Sequence, residues 1–155
     1  MIKVINKNSN QEIKVNIQSP VCIYYSFLLM LTGLFLSLLG DGVLMMRVSS
    51  LLLVVGAIQS RGKVDFGVFY KIPLTILIIE VLFDIMFLMI SFSNVDLVMV
   101  LVVLKIGLTL CRCISLGYNV INGRKKQLIR LYNIGFEIAN ENELSVKELK
   151  LIGKT

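Results

Sequence analysis

The chain has 155 residues, 56% of them hydrophobic, with a formal net charge of +6 and no histidine. That apolar share exceeds the roughly 45–50% of soluble domains, and the mean hydropathy of +0.82 argues the same way. The missing imidazole removes the usual general base and the commonest zinc ligand, and an odd set of cysteines, Cys22, Cys111 and Cys113, makes no disulfide framework.

The polar N-terminal segment, residues 1–18, precedes the first apolar block. It has neither the layout of a cleavable signal peptide nor a small-residue cleavage site after that block. Ile2 and Val4 alternate with polar residues, as do Ile13, Val15 and Ile17, and the turn formers "NKNSN" lie between. This pattern predicts a small β-hairpin. A lone hairpin is marginal in water, so it needs a surface to lean on.

Residues 19–121 carry four apolar blocks, which predict an all-α integral membrane protein: a bundle of four transmembrane helices arranged as two helical hairpins. Span one is Val21 to Leu39, with Ser19 expected as cap and Pro20 at the first helical position. Gly40-Asp41-Gly42 is a turn. Span two covers residues 43–60 and contains Arg47; its apolar part reaches about 24 Å at 1.5 Å per residue, short of the ~30 Å hydrocarbon core. After the polar stretch "QSRGKVDFG", Tyr70 and Lys71 read as interfacial anchors. Pro73 opens span three, which runs to Ser91 and contains Glu80 and Asp84. Span four, Leu97 to Leu116, carries Lys105 and Arg112, with Tyr118 at its edge. Gly33, Gly56 and Gly107 are expected to aid close helix packing.

Every basic residue outside the spans falls on one side, among them Lys3, Lys7 and Lys14; Arg61 and Lys63; then Arg124, Lys125, Lys126 and Arg130 at the start of the C-terminal tail. The turns around Asp41 and Asn94 have none. The positive-inside rule then places both termini in the cytoplasm. The Ile-, Asn- and Lys-rich tails point to an AT-rich bacterial or phage genome, hence a bacterial inner membrane.

In the tail, residues 122–155, the helix of span four is expected to continue through "NGRKKQLIRLY", with Leu128, Ile129 and Tyr132 against the membrane surface. Arg124, Lys125, Lys126 and Arg130 would attract anionic headgroups, at about 1 kcal/mol per charge. Ser145 and Glu148 have the spacing of a capping box for a short terminal helix. A nucleic-acid role is not expected of so small a basic patch tethered to a membrane.

An ionisable group at the bilayer centre costs about 2.5–3.5 kcal/mol, so it finds a partner or a purpose. Glu80 and Asp84 are four apart and share a helix face; Lys105 and Arg112 are seven apart and share another. An antiparallel fold about Asn94 sets Asp84 level with Lys105 and Glu80 level with Arg112. Arg47 is left to snorkel or to reach Asp84. Arginine at every third position, as in a voltage sensor, is absent from span four, and no span is broken by Gly or Pro in the manner of many transporters. Cys111 and Cys113, two apart on a helix, point about 200° apart and cannot share a metal ion.

The expectation is a structural or interaction component, accessory or immunity-type, that binds another membrane protein or a second copy of itself in the lipid bilayer. It is not expected to be an enzyme or to hold a cofactor or metal. The alternative is a small oligomeric transporter or channel using the intramembrane carboxylates as an ion or proton path.

Overall fold

The computed structural model describes residues 2–6, 12–15, 20–62, 66–90 and 95–138. The expected cap Ser19, the turn expected at residues 91–94, and the expected Ser145/Glu148 helix lie outside them. The chain divides into two compact units, one of residues 20–120 and one formed by residues 1–19 and 121–155.

The larger unit is helical. Helix α1 is Val21–Ser37 and α2 is Val43–Gln59. A π-helical turn, Phe66–Tyr70, runs straight into α3, Lys71–Met89. Helix α4 is one uninterrupted helix, Val95–Asn133, whose first part belongs to this unit. The α3 and α4 segments are long and apolar enough to cross a membrane, and α1 and α2 are shorter apolar helices. Only 17% of the apolar window of α3, and of α4, is buried. A core helix of a soluble protein would be mostly covered, whereas these expose Ile78, Leu82, Ile85, Val103 and Ile106.

The start of α1 differs slightly from expectation. Pro20 occupies the cap position with extended ψ, and its carbonyl accepts from the amides of Ile23 and Tyr24. The turn to α2 is a Schellman closure: Gly40 has φ of 95°, its N–H donates to Ser37 O, and the Asp41 N–H donates to Leu36 O. The two helices then run back to back. Ser26 Oγ donates to Ser49 O (2.9 Å) and Ser49 Oγ donates to Ser26 O (2.6 Å), so each buried hydroxyl satisfies the opposite backbone. A side chain on Gly33 would strike Met46, and one on Gly42 would strike the Gly33 carbonyl and Ser37. Among the described residues this is the most extensive contact between two helices.

Helix α3 begins two residues before Pro73, whose missing N–H still falls in the first turn, where no helical bond is lost. The π-turn ahead of it was not expected. It places Phe69 and Tyr70 in the core, 0% and 1% exposed, so Tyr70 is a packing residue and not an interfacial anchor. A Cβ on Gly56 would lie 2.7 Å from the Tyr70 hydroxyl. Gly107, in contrast, has open space around it, while the unanticipated Gly117 lies against the Phe27 ring.

The core of this unit is Ile23, Met30, Leu53, Ala57, Phe69, Tyr70, Leu77, Cys113 and Leu116. Apart from Met30, these cluster toward the end of the bundle where α1 begins and α2 ends. Asn119 Nδ2 donates to Phe69 O (2.7 Å), tying α4 to the π-turn there. All three cysteines are free, with Cys113 buried, Cys22 half-buried and Cys111 exposed.

The second unit contains a three-stranded antiparallel sheet of order β2-β1-β3, built from β1 (Ile2–Asn6), β2 (Glu12–Val15) and β3 (Phe136–Ile138). Ile2 aligns with Val15 and Val4 with Ile13, while the other edge of β1 aligns Val4 with Ile138. The sequence reading had no β3. It follows the end of α4, where Gly135 takes φ of 88° and lets the chain turn into the sheet. In the same unit Leu128 is 0% exposed and Leu131 1%, so Leu128 is a core residue of this unit and does not face a membrane. Ile129 is half-buried and Tyr132 exposed.

Candidate functional site: two ion pairs and a cleft

Below the core, at mid-length of the larger unit, Arg112 joins all four helices. Its Nη2 lies 3.2 Å from Glu80 Oε2 on α3 and 3.5 Å from the Met30 sulfur on α1, and its Nη1 donates to Ser50 Oγ on α2 at 2.6 Å. Ser50 in turn donates to Met46 O (2.9 Å). Both ends of the ion pair are buried, with side-chain exposures of 4% for Arg112 and 7% for Glu80. The pairing is through one carboxylate oxygen. Among the described residues, Glu80 Oε1 and Arg112 Nε have no hydrogen-bond partner. Opposite charge offsets burial here only because the two groups stay together; either alone would be an uncompensated buried ion.

One helical turn further along, Lys105 Nζ pairs with Asp84 Oδ1. This pair has a different setting, for its side chains are 47% and 53% exposed. It stands on the wall of a cleft of about 1680 Å³ between the α1–α2 hairpin and the α3–α4 segments. Thr32, Phe35 and Met45 form one side, and Phe87, Leu101 and Ile106 the other. The hydroxyls on these walls are used locally: Thr32 donates to Leu28 O, Ser37 to Gly33 O and Thr109 to Lys105 O. The ion pair is the charged feature of the cleft, whose lining also includes Tyr25.

The bundle is thus layered along its length. An apolar core closes one end, the Arg112 junction sits in the middle, and the cleft opens at the end of the Gly40 turn. The helical pitch makes this so: Leu77, Glu80 and Asp84 descend one face of α3, and Leu116, Arg112 and Lys105 ascend one face of α4.

The structure brings together four of the five predicted intramembrane charges. Arg47 is exposed and makes no ion pair among the described residues; Asp84 is engaged by Lys105 instead. Ser50 and Met30 as partners of Arg112, and the Ser26–Ser49 pair, were not foreseen. Of the basic tail residues, Arg124 and Lys125 are exposed and Lys126 and Arg130 half-buried, all on α4. Burial pulls the Lys126 ammonium below the usual lysine range. Ile121, Lys125 and Tyr132 share the exposed face of this part of α4, opposite the buried Gly123, Gln127 and Leu131. No group of three or more metal-ligating side chains occurs among the described residues. No protein-family model, curated protein or solved structure matches the chain.

Proposed function

We propose that the chain is a four-span protein of a bacterial inner membrane, with both termini in the cytoplasm. It acts as a structural or interaction component, of accessory or immunity type, and not as a catalyst. The observation that carries this reading is the burial of Arg112 against Glu80, Ser50 and Met30. A charge held by three other helices at once fixes how the helices assemble and is poorly placed to gain or lose a proton in a cycle. The short helices α1 and α2 are accommodated by local thinning of the bilayer. The N-terminal strands and the basic tail then face the cytoplasm, where they recognise another membrane protein or a second copy, and Arg124 and Lys125 meet anionic lipid headgroups.

One observation favours the transport reading: Asp84 and Lys105 are half-exposed on a wide cleft. Reconstituted liposomes separate the two. The interaction reading predicts no proton or ion flux above empty vesicles. Flux that Asp84→Asn abolishes, with thermal stability unchanged, would replace it with a transporter.

A further inference from the structure

The cleft between the hairpins is larger than the roughly 300–1,000 Å³ typical of small-molecule pockets, at about 1680 Å³, and its walls are mostly apolar, with the Tyr25, Thr32, Ser37 and Thr109 hydroxyls and one pair of charges among them. That pair sets a negative and a positive charge in direct contact, each about half-exposed. Even paired, half-exposed charges facing hydrocarbon keep part of their desolvation cost, which a polar group in the cleft would relieve. A head of single charge would be drawn by one partner and repelled by the other. A head carrying an ammonium and a phosphate satisfies both, the ammonium toward Asp84 and the phosphate toward Lys105. The apolar walls, from Phe35 and Met45 to Phe87 and Leu101, suit long acyl chains. Asp84 lies five residues before the end of α3 at Met89, about 7.5 Å of helix, within reach of a headgroup drawn inward beside short helices.

We propose that this cleft is a binding site for one aminophospholipid, a zwitterionic amphiphile of the phosphatidylethanolamine class, taken from the bilayer. The inference rests on the membrane-spanning reading above and adds a ligand to it. The chain has no tryptophan, so single reporters can be placed by substitution. Met45→Trp reports from the cleft; Leu82→Trp reports from an exposed face of α3 that does not line it. Each is reconstituted in vesicles containing a trace of brominated phosphatidylethanolamine or brominated phosphatidylglycerol, and quenching is compared. Both lipids should quench Leu82→Trp equally. Brominated phosphatidylethanolamine should quench Met45→Trp better by about threefold, the worth of one polar contact inside a membrane. Adding Asp84→Asn with Lys105→Met should erase that preference. Equal quenching of Met45→Trp with the charges intact overturns the proposal whether or not the charge variant folds, and so does a preference that survives the charge variant. Failure of either lipid to quench Leu82→Trp would instead overturn the membrane reading on which it rests.

Discussion

At Gly56 an added methyl would meet Cys22 and the Tyr70 hydroxyl, both at 2.7 Å, and neither the helix backbone nor a buried tyrosine yields easily. At Gly107 the methyl would meet nothing. Gly56→Ala should therefore lower stability by about 1–3 kcal/mol, the usual cost of overpacking. Gly107→Ala should be neutral or raise it by up to about 1 kcal/mol through helix propensity. Thermal melts of the two variants in one detergent check the contrast; an equal loss in both would mean that α4 is packed at Gly107. The buried serines offer a further test. Ser49→Ala removes a bond to Ser26 O and leaves the Ser26 hydroxyl with Ser49 O alone. A loss near 0.6 kcal/mol is expected, the average for polar contacts between membrane helices.

At the scale of helices, the two ion pairs should behave differently. Asp84 and Lys105 are half-exposed, so Asp84→Asn leaves a lysine free to snorkel toward the helix end and should cost less than Glu80→Gln, which disturbs a buried charge pair at the junction of four helices. A larger melting-temperature drop for Asp84→Asn than for Glu80→Gln would reverse this assignment. The pairing itself was legible in the sequence. A helix has a fixed rise, and a turn expected at Asn94 sets a register, so depth could be read from residue number and Asp84 fell level with Lys105. The contacts of Arg112 with Ser50 and Met30 were not legible. They depend on which faces of the two hairpins meet, and the spans are apolar all round, so no periodicity marks an inner face. Tyr70 was misread for a related reason. An aromatic beside a lysine at a span edge resembles an interfacial belt, and nothing in the local pattern shows the π-turn that sets Phe69 and Tyr70 into the core. The strand β3 is only three residues long and becomes a strand by pairing with β1, far away in sequence.

For the whole molecule, exposed apolar surface and charge distribution point the same way. The Gly40 turn carries no base and α4 carries Arg124 and Lys125 beyond its apolar stretch. In a variant with all three cysteines replaced, an impermeant maleimide added to intact cells should label Asp41→Cys and spare Lys125→Cys until the cells are opened. Labelling of both, or the reverse order, would refute the proposed four-span topology. Within the bundle, Arg112 and Glu80 form the buried junction on which the helices assemble. Its most direct test is a double-mutant cycle on thermal stability in detergent, comparing wild type with Glu80→Gln, Arg112→Met and the two together. Arg112→Met leaves a carboxylate buried without its partner, so a loss of about 3–5 kcal/mol is predicted, with much of it recovered in the double variant. Losses that simply add would contradict the account, because two residues that add independently do not depend on one another.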